Sequence, residues 1–415
     1  MKRFLKKAAA AAVSLALLCG MFPAAAAGAA SDAVEARLAS MTLREKVGQL
    51  FVVRPEALDL EKTSGGTMFP AAMQERLVQY PVGGIVLFQK NIPDADAMTA
   101  LIRAYQNASA TGLLVAVDEE GGTVARLANH SAFDLPKYAN AASIGATGDP
   151  EQARAMGYTI GSYLRPYGFN LDFAPVADVN SNPKNPVIGK RAFSSDPNVA
   201  AAMVTAAVEG FHEAGMLCTL KHFPGHGDTG EDSHSGTATT NQTWEEMQAA
   251  ALLPFEAGIA AGADVVMAAH ITTPNATKDG LPASLSYTML TERLRGELGF
   301  TGVICTDALE MKAISSHYAP ADAAVAALNA GADILLMPAD LCAAFEGVVQ
   351  AVETGAVAEE RLNESVRRIL TLKEKAGLPL GTAAPAEEPT APEAAEEAVP
   401  EKPSDCFGWL RAFWN

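Results

Sequence analysis

The segment Lys221–Gly236, KHFPGHGDTGEDSHSG, gathers three of the chain's seven histidines, His222, His226 and His234. Asp228, Glu231 and Asp232 lie among them, with glycines at 225, 227, 230 and 236. Such a loop can hold a metal, move protons, or simply join two core elements. His222, His226, His234 and Asp228 are donors zinc accepts. No pair is spaced as HExxH or HxH, however, and Lys221 sets an ammonium beside the first would-be ligand, so no metal is expected. Asp232-Ser233-His234 suits proton transfer better. In a turn the carboxylate can take the Nδ1 proton, fixing the tautomer and raising the basicity of the ring. The glycines would let His234 swing over a substrate as proton donor.

A proton donor needs a partner. There is no GxSxG, so a serine nucleophile is a poor candidate. Asp307 follows the apolar run Val303-Ile304-Cys305-Thr306. A carboxylate nucleophile with a separate proton donor is the logic of retaining glycoside hydrolysis, here with a histidine where a second carboxylic acid is usual. The plainer reading of Asp307 is a helix cap before Leu309–Ala313.

These groups need a frame. Eight short apolar runs recur: Leu50–Val53, Gly84–Phe88, Leu113–Val117, Asn170–Ala174, Leu217–Leu220, Asp264–Ala269, Val303–Thr306 and Asp333–Met337. Unbroken apolar runs fit strands buried on both faces of a parallel sheet. Helical spacing fills the intervals at Met98–Ser109, Pro150–Tyr167, Val199–Ala214, Trp244–Ala261, Tyr287–Leu298 and Ala321–Ala330. Asp196 and Ser286 suit helix starts, and Gly215, Gly262, Gly299 and Gly331 suit left-handed caps. The alternation predicts a (β/α)8 barrel, with a doubly wound open sheet as the alternative. Barrel chemistry sits at the C-terminal ends of the strands. Asp118, Lys221–His222, His270 and Asp307 all fall there.

Four stretches together resemble the β-N-acetylglucosaminidases of glycoside hydrolase family 3: LKHFPGHGDTGEDSH, LLVAVDEEGGTVARL, NPVIGKRAF and ICTDALEM. The likeness runs from about Leu43 to Ala376. It implies a (β/α)8 barrel that needs no cofactor, Asp307 as nucleophile and the Asp232–His234 dyad as acid/base. It implies that Asp118 accepts hydrogen bonds from sugar hydroxyls, and that Arg126, Arg191, Lys221 and His222 donate to hydroxyls or the acetamide. The plainer alternative is that these residues form salt bridges with one another. The implied activity is removal of terminal N-acetylglucosamine from peptidoglycan fragments. Other readings are a different sugar, phosphate in place of water, or a barrel that only binds wall sugars. The chain departs from the family pattern at Thr123, Lys190 and Ala192, and in SGTATT after the dyad. Relatives acting on β-glucosides and xylosides carry a second α/β domain that supplies a carboxylic acid. Here the chain turns into linker near Gly381, which favours the histidine mechanism.

The ends of the chain read differently. Lys2, Arg3, Lys6 and Lys7 precede an apolar run, and small residues follow at Ala24–Ala30, so residues 1–30 read as a secretory signal. Leu18 stands where a lipidated Cys19 would want a small residue, which argues against a lipoprotein. The expected location is therefore secreted or envelope-associated. Losing four cations and no acids takes the formal charge from -17 to -21, which disfavours nucleic acid and anionic membrane as partners. Cys218 and Cys305 lie in apolar runs and read as buried thiols. Residues 31–380 form the predicted barrel. Residues 381–405, rich in Ala, Pro and Glu, read as a linker. CFGWLRAFWN, residues 406–415, is either an end that folds back or a foot for a wall or membrane surface.

Overall fold

The computed structural model describes residues 30–230, 236 and 238–381. The signal, linker and aromatic-tail expectations fall outside that range, as do Asp232 and His234.

All eight runs are strands: β1 (Phe51–Val53), β2 (Gly84–Leu87), β3 (Leu114–Val117), β4 (Leu171–Asp172), β5 (Leu217–Phe223), β6 (Val265–Ala268), β7 (Val303–Thr306) and β8 (Leu335–Leu336). Each pairs in parallel with its sequence neighbour from β1 to β7, and β1 also pairs with β8 through Phe51↔Leu335 and Val52↔Leu336. The ring closes between β7 and the approach to β8. Cys305 bridges Ile334, and Thr306 N donates to Ile334 O at 2.9 Å. A closed ring leaves no strand edge. It is the (β/α)8 barrel expected, and the open sheet is set aside.

Every barrel-strand residue is buried, because side chains facing inward meet each other and those facing outward meet helices. Among the outer helices, Asp196 caps Pro197–Glu213 by accepting from Asn198 N and Val199 N. Ser286 Oγ accepts from Met289 N at 3.1 Å. Gly215, Gly262, Gly299 and Gly331 all have positive φ. The single helix expected over 244–261 is instead two, Trp244–Ala249 and Leu253–Ala260. Pro254 has no N–H to donate and its ring crowds the preceding turn, so it is tolerated only at a helix start. Cys218 and Cys305 are buried free thiols.

The N-terminal end of the barrel is sealed by ion pairs. Asp333, fully buried, bonds Arg295, Arg361 and Arg368. Asp264 accepts from His212 Nε2 and Cys218 N and is paired with Lys375.

One amine there is held by an amide. Lys373, on helix Glu359–Lys375, is fully buried with Nζ 2.5 Å from Gln49 Oε1. Burial, aided by the Arg37 guanidinium, pushes its pKa down to about 7. The unfolded lysine titrates near 10.4. Between these values the unfolded chain binds a proton the native chain does not, so this group's contribution to stability rises with pH across that window. At pH 7 the unfavourable contribution is on the order of 4 kcal/mol, offset in part in a Met variant by the loss of the Gln49 bond. Lys373→Met is therefore expected to raise the melting temperature at pH 7, with a gain that shrinks towards pH 10. Thermal unfolding at the two pH values checks this; an equal gain at both would contradict it.

Candidate active site

The strand register sets the mouth. Phe223, Ala268 and Thr306 are successive partners across β5, β6 and β7. Lys221 and His222 near the end of β5, His270 past β6 and Asp307 past β7 therefore emerge at one end of the barrel. Asp118, directly after β3, joins them.

Lys221 is the hub. Its side chain is 2% exposed, and Nζ lies 2.8 Å from Asp118 Oδ1 and 2.6 Å from Glu120 Oε1. Arg191 grips Glu120 with both arms of its fork, Nε at 2.8 Å and Nη2 at 2.7 Å. Arg126 reaches Asp118 Oδ2 at 3.2 Å. Burial alone would raise both carboxyl pKa values. The Lys221 ammonium with Arg126 reverses this at Asp118, and Lys221 with Arg191 holds Glu120 at about 2. Three cations thus hold these two carboxylates, with the carboxyl groups of Asp178 and Asp307 at the same end of the barrel. Asp118 does form salt bridges with Arg126 and Lys221, as the plainer alternative had it, whereas Arg191 pairs with Glu120. Asp118, Arg126 and Arg191 remain partly exposed at the mouth, while Lys221 is buried beneath them.

Lys221→Met would leave two ionised carboxylates buried without their shared ammonium. Breaking such a cluster typically costs about 3–5 kcal/mol. The expected result is an unfolding free energy lower by that amount in urea denaturation, with activity lost. A variant as stable as the parent would show that the carboxylates are neutralised by the arginines alone. The Glu120 pKa adds a sign. Its folded value lies below the unfolded one, so its contribution is present above pH 4.5 and is lost as pH falls towards 2.

His222 is set by a residue sequence reasoning missed. Asp178, fully buried, has Oδ2 2.7 Å from His222 Nδ1, and its Oδ1 accepts from His222 N at 3.3 Å and His226 N at 2.6 Å. The carboxylate accepts the hydrogen bond from Nδ1, which turns Nε2 outward, 3.4 Å from Arg191 Nη2. Nε2 is therefore the ring atom aimed towards a sugar. Burial raises the Asp178 pKa, but His222 and His226 bring it below the ordinary value. His226 is buried beside His222 with Nδ1 2.7 Å from Thr229 Oγ1, and burial lowers its pKa. Both Nδ1 atoms are thus engaged within the protein.

The first half of the histidine loop is pinned to the loop after β4. Asn182 N donates to Gly227 O, and Asn185 Nδ2 donates to His226 O at 2.8 Å. A Cβ on Gly227 would stand 1.8 Å from Val179 O, which only glycine avoids. Beyond the undescribed stretch, Ala238–Thr239 pairs with Ile271–Thr272 just past β6. The loop is therefore anchored at both sides of Asp232 and His234, which themselves lie outside the described residues.

Asp307 is half-buried. Its N donates to Ala268 O, and its Oδ1 accepts from Ala308 N at 2.8 Å. The next helix is Lys312–Ser315, whose N-cap position is Met311. Asp307 is therefore not a helix cap, and its carboxylate stands at the mouth near enough to oppose, in small part, the lowering of the His226 pKa by burial. The structure brings Asp118, Arg126, Arg191, Lys221 and His222 into one bonded cluster, with Asp307 two strands from Lys221.

Glu120 and Asp178 were missed. For Glu120 the signal was present, two residues past Asp118 in DEEGG. Asp178 lies four residues past the expected strand Asn170–Ala174. The chain continues beside β5, with Ala177 N donating to Lys221 O. Arg54, past β1, was also unmarked. It bonds Glu310 at 2.5 Å and packs on the Phe88 ring, against which Arg126 also lies.

Comparison with known proteins places this arrangement. The glycosyl hydrolase family 3 N terminal domain matches residues 42–372. Beta-hexosaminidase A of Pseudoalteromonas piscicida is 39% identical over 338 residues, 74% of this chain and 56% of its own length. The chain thus spans little more than half of that relative. A beta-hexosaminidase of Stenotrophomonas maltophilia is 41% identical over 276 residues, covering 66% of this chain and 81% of its own. Among solved structures, a family 3 beta-N-acetylglucosaminidase from Paenibacillus superposes with a TM-score of 0.74 at 37% identity, covering 86% of this chain and 66% of that one. With the closed barrel and the mouth cluster in place, these matches show that the chain belongs to glycosyl hydrolase family 3.

Proposed function

We propose that the chain is an exported, retaining exo-β-N-acetylglucosaminidase that releases terminal N-acetylglucosamine from peptidoglycan-derived fragments. The observation that carries this is Asp307 at the end of β7, its carboxylate at the same mouth as the Asp118–Lys221–Glu120–Arg191–His222 cluster. A pyranose ring offers alternating donors and acceptors, and this cluster offers carboxylates, an ammonium and forked guanidinia in matching density. Hexosaminidase relatives support the sugar; residues 1–30 support export.

In the proposed route an Asp307 oxygen attacks C1 from one face. The C1–O bond to the leaving sugar breaks, and His234 delivers a proton to that oxygen. The glycosyl ester on Asp307 is then opened by water that gives its proton to His234. Two inversions retain the β configuration. Asp232 keeps the His234 Nδ1 proton in place throughout. A histidine in place of the usual carboxylic acid removes a negative charge from the face where the acceptor enters, which supports a second reading in which phosphate replaces water.

The test is release of p-nitrophenol from its β-N-acetylglucosaminide and its β-glucoside by the chain from residue 31 onward, with and without phosphate. Preference for the first sugar, indifferent to phosphate, is expected. Preference for the glucoside, or a sugar phosphate as product, would overturn the sugar or the acceptor respectively.

A further inference from the structure

His270 lies just past β6 among the chemistry-bearing residues, yet the reaction above does not use it. It is 1% exposed, with both ring nitrogens bonded. Nε2 lies 2.9 Å from Ala308 O and Nδ1 2.7 Å from Ser284 Oγ. A carbonyl oxygen only accepts, so Nε2 carries the hydrogen. Nδ1 then offers a lone pair and the Ser284 hydroxyl must donate. Ser284 is fully buried and anchored in turn, its N donating to Ala269 O at 3.1 Å.

The residue so gripped, Ala308, is the one whose N–H holds Asp307 Oδ1. The far side of the turn is held by the end of β8. Leu309 N donates to Leu336 O and Glu310 N to Met337 O, both at 2.9 Å. Met337 adopts φ +46°, a left-handed conformation that costs a non-glycine residue on the order of 1 kcal/mol. Residues 307–310 are thus suspended between β6 and β8. On the β6 side the side-chain tie is the imidazole.

We propose that His270, locked by Ser284 with its hydrogen on Nε2, is the positioning residue for Asp307. It holds Ala308 so that the Asp307 carboxylate keeps one orientation towards C1. The inference rests on Asp307 being the nucleophile. Displacing a reacting group by an ångström can cost a factor of about 100 in rate, whereas sugar binding by the Lys221 cluster does not pass through His270. The effect should therefore fall on kcat and spare KM.

The experiment compares His270→Leu, His270→Gln and Ser284→Ala in the full chain. It measures kcat and KM on p-nitrophenyl β-N-acetylglucosaminide, and the rate at which a slow fluorinated substrate labels Asp307. His270→Leu is expected to lower kcat and labelling roughly 10- to 100-fold, with KM within about threefold. His270→Gln, which can place an N–H near the same carbonyl, should recover much of the loss. Ser284→Ala should show a smaller fall of the same kind, because the tautomer is no longer imposed. Lower melting temperatures with unchanged kcat and labelling per folded molecule would overturn the proposal. Should His270→Leu fail to fold, unchanged kcat and labelling in Ser284→Ala would overturn it equally. A wild type that turns substrate over but is labelled at another carboxylate defeats the nucleophile assignment instead. Normal labelling at Asp307 in every variant defeats the positioning alone.

Discussion

Asp307→Ala should give a folded barrel with almost no turnover, down by several orders of magnitude. The fold should survive because the side chain is half-buried at the barrel mouth rather than packed in the core. The catalytic effect is large because no covalent route remains without the carboxylate. Cluster residues such as Lys221 behave differently, since removing one disturbs stability and binding together. A slow substrate should leave a glycosyl ester on Asp307 in the parent, visible by mass spectrometry of the peptide containing ICTDALEM. An ester on Glu120, Glu310 or any other carboxylate would refute the assignment.

His234→Gly should separate the two halves of the reaction. A p-nitrophenolate leaving group needs no proton, so its first turnover should stay fast. The reaction should then stall, because deglycosylation lacks a base. A natural disaccharide, whose leaving alkoxide needs the proton, should barely react. The same imidazole can serve both steps near neutral pH because its ordinary pKa is about 6.5. Rapid-mixing kinetics on the two substrates decides. Equal losses in the first turnover would mean that His234 is not the proton donor, and Glu119, Glu120 and Glu231 would become the candidates. Glu119 starts with a handicap. It is buried, and its carboxylate accepts from Leu127 N, Ala128 N and the Tyr163 hydroxyl.

The barrel was legible in the sequence because burial on both faces leaves no polar alternation. Eight such runs stand out wherever helices separate them. Strand ends were less so. β4 shrinks to Leu171–Asp172, yet its path continues through Val176, which bridges Lys221. Two helices of the C-terminal third, Leu341–Glu353 and Glu359–Lys375, were unmarked. In the latter, Lys373 falls on the same face as the buried Val366, Ile369 and Leu370, where a lysine is not expected. The site was readable one residue at a time, through motifs, but not as a network. Glu120, Asp178, Arg191 and Lys221 come from four separate stretches. Which carboxylate meets which cation is decided only when the ring closes and its loops converge. Asp178 shows the limit: its partner, His222, lies 44 positions away.

The two ends of the described barrel domain share a neighbourhood. Ser31 Oγ donates to Glu374 at 2.6 Å, and Gly112 N, just ahead of β3, donates to Pro379 O at 2.7 Å. Both contacts lie at the sealed end, a barrel's height from Asp307. A solid support coupled through either residue 31 or residue 381 would therefore hold the protein mouth-outward, and immobilised molecules should work at the rate of free ones. Coupling through Lys90, which pairs with Glu56 beside the open end, would press the mouth against the support. For bulky glycan substrates the point of attachment would then matter more than the density of loading.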